Sequence, residues 1–171
     1  MASTLNVSNA LKNPGQEYPF EADVQIEEME VLGDPIRFTD VAVKGNYVGS
    51  GETVSLEATA TATVTSRCSR CLEEVTFPIS AEVSAEFARQ PDPDDPDQYC
   101  FEASSLELTD AIRDALVLEL PLQVFCKEDC KGLCSKCGIN LNTGSCTCQE
   151  GDDDLNPFAA LRSIVENNEE V

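Results

Sequence analysis

Histidine is absent from the 171-residue sequence, and this absence removes whole classes of chemistry. Ser-His and Cys-His catalytic pairs both need an imidazole base, so neither can operate here. Metal sites that mix cysteine with histidine are excluded for the same reason. Any transition-metal site in the chain must therefore consist mostly of thiolates, which select zinc or iron–sulfur clusters.

Basic residues are scarce, since 11 Lys and Arg stand against 32 Asp and Glu and the formal net charge is −21. Nucleic acids and anionic lipids are polyanions, and most of such an acidic surface would repel them. Any contact with a nucleic acid must therefore be local.

Long apolar runs are also missing. No stretch approaches the roughly 20 apolar residues that a membrane span needs. Residues 1–20 lack the apolar run after a basic start that marks a secretory signal. We therefore expect a cytoplasmic protein whose nine cysteines stay reduced, because disulfides are rare in that compartment. With 42% apolar residues the chain has enough material for a core.

Two segments with strict period-2 alternation, 54–64 and 75–87, predict one long antiparallel hairpin. Pro78 cannot donate to a ladder, so we expect it at an edge or a bulge. Upstream, a slip of phase within residues 24–31 predicts a bulged strand, and residues 36–48 predict another. In the latter strand Val41, Val43 and Tyr47 would share one face.

Two helices are predicted in the second half of the chain. Apolar residues recur every four positions from Leu108 to Leu120 and stop at Pro121, which predicts an amphipathic helix that covers the sheet. Residues 90–98 before it are acidic and proline-rich and predict a linker. Near the C-terminus Asn156 can cap a last helix with Pro157 at its first position. Its apolar stripe would be Phe158, Leu161, Ile164 and Val165.

These patterns predict an α+β fold: a curled antiparallel β-sheet (partial barrel) with a long hairpin, one covering helix, a Cys-rich zinc module and a C-terminal helix. The predicted division has four parts. They are an N-terminal segment (1–22), a β-rich domain with its covering helix (23–122), a Cys-rich zinc-binding module (123–150), and a C-terminal helix with an acidic tail (151–171).

The cysteines carry the strongest chemical signal. Two C-x2-C pairs occur, and such a turn directs both sulfurs at one ion while backbone amides point at the thiolates. We expect two four-sulfur zinc sites. One would be formed by Cys134, Cys137, Cys146 and Cys148, and the other by Cys68, Cys71, Cys126 and Cys130. The main competitor is a single zinc bound by Cys130, Cys134, Cys137 and either Cys146 or Cys148.

Closed four-thiolate sites stabilise a fold and leave no open position for catalysis, so we expect no enzyme. The competing interpretation is a dithiol oxidoreductase in which Arg67 and Arg70 lower the thiol pKa of Cys68 and Cys71. That pair, however, lies between two strands and not at a helix N-terminus. The ninth cysteine, Cys100, is predicted to be a buried small hydrophobe.

Five basic residues lie close to these cysteines: Arg67, Arg70, Lys127, Lys131 and Lys136. The two-zinc arrangement would bring them together in a patch that could contact RNA phosphates or a protein partner. Alternatively, their side chains only hydrogen-bond and screen the thiolates. The sequence leaves both interpretations open.

Three motifs together resemble the YceD family, the large ribosomal RNA subunit accumulation proteins. They are CSRCLE from Cys68, CKEDCKGLCSKCGINLN from Cys126 and NPFAAL from Asn156. The family pattern often has Pro where Ser135 stands, which leaves the turn possible. The resemblance implies a bacterial cytoplasmic, non-enzymatic factor needed for synthesis, processing or stability of large-subunit ribosomal RNA, with no membrane and no small-molecule substrate.

Two modes of action are compatible with this role. The protein could touch large-subunit ribosomal RNA locally through the zinc module and the Arg67/Arg70 tip. It could instead be an acidic, zinc-stabilised adaptor or holdase for a basic ribosomal protein, because opposite charge favours such docking. A thiol enzyme is the third hypothesis, of another class.

Overall fold

The computed structural model describes residues 3–90 and 98–148, which contain eight strands and two helices. The strands are β1 (Thr4–Asn6), β2 (Glu17–Val24), β3 (Met29–Val31), β4 (Asp34–Ser50), β5 (Thr53–Arg67), β6 (Glu74–Ala88), β7 (Gln98–Cys100) and β8 (Ser105–Glu107). The helices are α1 (Ser8–Lys12) and α2 (Thr109–Leu118). The protein is therefore mostly sheet.

The main sheet has the order β2-β4-β5-β6-β7. Strand β3 pairs with the first residues of β4, and β2 pairs with the later residues of β4. The pairs are antiparallel except β6 with β7, which are parallel. Strands β1 and β8 form a separate antiparallel pair. Within the described residues β2 and β7 do not pair, so the sheet is not closed and the expected partial barrel is not confirmed.

The predicted hairpin is confirmed as β5 and β6, which stay in register from Thr53 opposite Ala88 to Arg67 opposite Glu74. Alternate residues of β5 are buried, and the Thr-rich face is turned outward. Pro78 lies opposite Thr63, and β7 reaches only the last residues of β6. In the described chain Pro78 is thus on an edge of the ladder, as its missing N–H requires.

A β-bulge in β4 keeps that long strand packed on the core. Asp40 and Val41 together oppose one residue of β5, and Asp40 has a positive φ of 53°. Because of the extra residue, even-numbered side chains are buried before the bulge and odd-numbered ones after it. Ile36 and Phe38 therefore share the buried face with Val43. The predicted common face of Val41, Val43 and Tyr47 is confirmed, since all three are buried.

The bulged strand expected over residues 24–31 is not present. The structure has two strands there, because Val24 pairs with Val41 and Met29 pairs with Ile36. The intervening residues leave the ladder, and this departure produces the phase slip seen in the sequence.

Helix α2 covers one face of the β5–β6 hairpin and confirms the predicted amphipathic helix. Its residues Ala111, Ile112 and Leu116 are buried, together with Leu108 just before it. Burial of each such leucine or isoleucine contributes roughly 1.5–3 kcal/mol, so this contact is a major part of the core.

By its internal contacts the chain divides into two compact units, Met1–Cys130 and Lys131–Val171. The four-part division expected from the sequence stays a prediction. Most of the predicted linker and the whole predicted C-terminal helix lie outside the described residues. None of the helices within the described part has the length and hydropathy needed to cross a lipid bilayer.

Candidate metal centres

The first cysteine cluster, here called the tip cluster, consists of Cys68, Cys71, Cys126 and Cys130, whose sulfur atoms all lie within 4.8 Å of one another. Cys68 and Cys71 occupy the turn between β5 and β6, and the other two follow helix α2. The Sγ atoms of Cys68 and Cys130 are 3.8 Å apart, and those of Cys71 and Cys126 are 3.6 Å apart. All of these residues except Cys126 are buried.

The turn around Cys68 directs backbone N–H groups at its sulfur. The Leu72 N–H donates to the Cys68 carbonyl at 2.9 Å, which closes the turn. Burial alone would raise the pKa of the Cys68 thiol, but N–H groups of Arg70, Cys71 and Cys126 donate to it and lower its pKa to about 6. The lowered pKa favours the thiolate form of Cys68, which is the form that binds a metal ion.

Hydrogen bonds and a stacking contact hold the segment after α2 against this turn. The Ser69 N–H donates to the Val124 carbonyl at 2.7 Å, and the Val124 N–H donates to Ser69 Oγ at 3.1 Å. Arg70 donates to the Cys130 carbonyl at 3.0 Å and lies 4.5 Å from the centre of the Phe125 ring. The loop is thus prearranged by the polypeptide itself.

The second cluster, here called the knuckle cluster, consists of Cys134, Cys137, Cys146 and Cys148, again with all sulfurs within 4.8 Å. Cys137 is exposed and the other three are half-buried. Backbone N–H groups of Cys137 and Lys136 lower the pKa of Cys134 to about 6. This site is local to the second unit of the chain and is more open than the tip cluster.

Both clusters are built on the same turn. The Cys68 N–H donates to the Glu73 carbonyl and the Cys134 N–H donates to the Ile139 carbonyl, each at 2.8 Å. The residue after each C-x2-C pair has a positive φ, which is 62° at Leu72 and 72° at Gly138. Glycine adopts this conformation freely, whereas leucine does so at a cost.

Two asparagines that the sequence analysis missed shape the knuckle cluster. The Asn140 carbonyl accepts from the Gly144 N–H at 2.9 Å, and Asn142 Oδ1 accepts from the Lys131 N–H at 2.9 Å. Asn140 Oδ1 also accepts from the Asn142 N–H at 2.9 Å. These bonds turn the chain so that Cys146 and Cys148 return to the first pair. The Asn-rich stretch before Gly144 was the available signal, since asparagine favours such turns.

The sulfur positions fit a tetrahedral metal ion. Zinc–sulfur bonds of about 2.3 Å in a tetrahedron place the sulfurs about 3.8 Å apart, close to the 3.6 and 3.8 Å at the tip cluster. These distances are far from a disulfide bond of about 2.05 Å. Four thiolates without a metal ion would repel one another. Burial and the neighbouring thiols therefore raise the pKa of Cys126 to about 12. The Cys137 thiol is the main cause that raises the pKa of Cys148 to about 12. Each cluster can therefore hold a metal ion, which would compensate the charge.

The structure brings the eight predicted ligand cysteines together in the two predicted groups. Cys130 lies with the tip cluster, so the arrangement for a single zinc with Cys134 and Cys137 is not the one observed. The prediction for Cys100 is wrong, because its side chain is exposed. Alternation along β7 turns Tyr99 inward onto Phe87 and leaves Cys100 outward.

The basic residues have different surroundings. Arg67 is exposed, while Arg70 is engaged by Cys130 and Phe125. Lys127 lies 3.8 Å from the carboxylate of Asp129. Lys131 and Lys136 belong to the second unit of the chain. A joint contact of these five residues with RNA or protein stays a prediction.

A mostly β protein with one covering helix and two four-cysteine clusters is the class that these observations define. The sequence profile of the family described as large ribosomal RNA subunit accumulation protein YceD matches residues 56–165. The chain belongs to the YceD family.

Individual relatives extend this result. The chain is 29% identical over 119 residues to the uncharacterized protein YlbN of Bacillus subtilis, a match that covers 68% of the chain and 69% of that protein. It is 32% identical over 147 residues to an uncharacterized protein of Mycobacterium tuberculosis, covering 81% of the chain and 70% of the relative.

A third relative carries a functional name. The chloroplastic large ribosomal RNA subunit accumulation protein YCED homolog 1 of Arabidopsis thaliana is 36% identical over 70 residues. That match covers 40% of the chain but only 22% of the plant protein. No solved structure was found to match the chain.

Proposed function

We propose that the protein is a non-enzymatic, cytoplasmic factor in ribosome biogenesis that supports accumulation of large-subunit ribosomal RNA and is held in shape by two zinc ions. The family assignment supports the biological role, because the family and its chloroplast relatives carry that name. The observation that carries the rest is the pair of four-thiolate clusters in a chain without histidine.

The clusters support a structural role for the metal. Four thiolates fill the coordination sphere of zinc and leave no position for a substrate or a water nucleophile. Zinc would be held at the tip by Cys68, Cys71, Cys126 and Cys130, and at the knuckle by Cys134, Cys137, Cys146 and Cys148. The same occupancy argues against a dithiol oxidoreductase, since a metal-bound thiolate is not free to exchange.

Metal analysis of the purified protein tests the zinc assignment. We expect two zinc ions per chain, one of which is lost when the cysteines of either cluster are replaced by serine. Visible absorbance typical of iron–sulfur clusters would contradict zinc. A folded, metal-free protein in which all eight thiols react with an alkylating agent would contradict any metal site.

Depletion of the protein in the bacterium that makes it tests the biological role. We expect a lower ratio of large-subunit to small-subunit ribosomal RNA, restored by the wild-type chain and not by a chain that lacks the tip-cluster thiols. An unchanged ratio on complete depletion would contradict the role. The comparisons do not favour the holdase alternative, and direct contact with RNA through the basic residues stays a prediction.

A further inference from the structure

Three of the five exposed large apolar side chains of the first unit, including the most exposed ones, lie in one region. Leu32, Leu118 and Leu122 are 86%, 86% and 88% exposed. All three line one groove of about 300 Å³, here called the leucine groove. Soluble proteins expose single apolar residues commonly, but several around one concave site mark an interaction surface.

The leucine groove lies between elements that fix its shape. Leu32 comes from the turn between β3 and β4, and Leu118 is the last residue of α2. The floor is apolar, since Ile36 is buried and Phe77 is half-buried. The groove therefore offers both a preformed base and protruding leucines, which is the geometry of an anchor site for apolar side chains.

The tip cluster supports one wall of this groove. Ser69 and Val124 both line it, and they are joined by two hydrogen bonds that hold the loop to the hairpin, one between backbone groups and one from the Val124 N–H to Ser69 Oγ. Cys68 directly precedes Ser69, and Cys126 lies two residues after Val124. A metal ion at the tip would thus reinforce a groove wall that these hydrogen bonds already position.

The lining of the groove carries one charge of each sign, Asp34 and Arg67, and its surroundings along the chain are acidic. Asp34 lines it, and the exposed Glu30 and Glu119 adjoin lining residues along the chain. Among the lining residues Arg67 is the basic one, and it faces Glu74 across the hairpin. Lysine and arginine on an occupant would therefore be attracted, and the chain's net charge of −21 would steer them in.

We propose that the leucine groove binds an amphipathic segment of a protein partner, with apolar residues on one face and lysine or arginine at its flanks. This inference rests on the proposed function, for which it names the class of direct partner. RNA is the poorer occupant, because phosphates gain nothing from leucines and are repelled by the chain's net charge of −21. In helix-in-groove recognition, apolar side chains at helical spacing on one partner insert into a hydrophobic groove on the other. The three leucines around this groove can pack against such side chains.

A peptide-binding experiment with the full-length, zinc-loaded protein tests the proposal. The probe is a fluorescent Leu/Lys peptide of about 18 residues with leucines on one helical face, which gives five turns. Its partner probe has the same composition in an order that destroys the apolar face. We expect Leu118→Gln and Leu122→Gln each to weaken binding of the amphipathic probe about tenfold.

Matched controls separate docking from general attraction to an acidic protein. Ile139→Gln replaces an exposed apolar residue of the second unit and should leave the affinity unchanged. Because Leu118 and Leu122 are exposed, their variants should unfold at the same temperature as the wild type. Equal affinity for the two probes, undiminished binding to the leucine variants, or no binding of the amphipathic probe would each overturn the proposal.

Two further outcomes keep this inference distinct from the proposed function. If an RNA fragment from the large subunit binds and is lost with Leu118→Gln and Leu122→Gln, a protein occupant is wrong. In cells, full rescue of ribosomal RNA by the double leucine variant would overturn docking while the proposed function stands. An unchanged RNA ratio on depletion would remove the proposed function whatever the peptides show.

Discussion

Replacing Cys126 and Cys130 by serine removes the two tip-cluster thiols that follow helix α2 and leaves the hairpin pair, Cys68 and Cys71, in place. In the zinc-loaded protein this change opens the metal cross-link between Cys71 and Cys126, which are 55 residues apart. By chain entropy a cross-link of that span stabilises the folded state by about 4 kcal/mol at 25 °C. We therefore expect the free energy of unfolding of the first unit to fall by about that amount.

Urea unfolding followed by far-UV circular dichroism measures this loss, since the chain has no tryptophan to report by fluorescence. With a slope of about 2 kcal/mol per molar urea, the midpoint should fall by about 2 M. Zinc content should drop from two ions to one. The hairpin and α2 should remain folded below the transition, because their core does not include the cluster.

The matched control is the double serine variant at Cys137 and Cys148. It also loses one zinc ion, but the cross-link that it loses closed only a short, local loop in the second unit. Its unfolding midpoint for the β signal should stay near that of the wild type. The cross-link reasoning would be refuted by equal midpoints for both double variants, or by a tip variant that retains two zinc ions.

Three further changes test local features. Gly45→Ala drives a Cβ into the Glu57 carbonyl oxygen of the neighbouring strand, so we expect a loss of about 3 kcal/mol or more in urea unfolding. Gly138→Ala meets no atom within 4 Å but keeps a positive φ, so the second unit should lose about 1 kcal/mol and release zinc faster to a chelator. Arg70→Ala removes the bond to the Cys130 carbonyl and the contact with Phe125, and should speed zinc release from the tip by about tenfold.

Each of these expectations has a control in the same chain. Gly33→Ala has a positive φ in an open turn and should cost far less than Gly45→Ala. Leu72→Gly should have the opposite effect at the tip cluster, because it relieves there the same kind of strain that Gly138→Ala introduces at the knuckle cluster. A loss of stability in the Leu72 variant would contradict the shared turn. Arg67→Ala is the control for Arg70→Ala, because it removes the same charge but not the contacts with Cys130 and Phe125. Equal rates of zinc release from both variants would show that positive charge, and not these contacts, controls release from the tip cluster.

The long elements could be predicted because their sequence patterns repeat. The alternation from Val54 onward fixes both the strand and its buried face, and leucines every fourth residue do the same for α2. The grouping of the eight cysteines followed from two C-x2-C pairs and the order of the chain. In each case several residues of one pattern indicate the same structure.

Short and non-local features could not be predicted. Strands β1, β7 and β8 have three residues each, which is too short for a period to show. The bulge at Asp40 depends on how β4 meets β5, and no residue type marks it. The exposure of Leu118 was equally hidden, because its position relative to the sheet decides it and not its place in an apolar pattern.

The pairing of β1 with β8 has a consequence for the newborn chain. Thr4 is synthesised about 100 residues before its ladder partner Glu107, which is a delay of roughly 5–20 s at ordinary rates of translation. Until then Val7, which ends up wholly enclosed and donates its N–H to the Ser104 carbonyl, lacks that partner segment and stays open to chaperones. The β1–β8 pair can therefore form only after residue 107 has been synthesised, although β1 is made long before that.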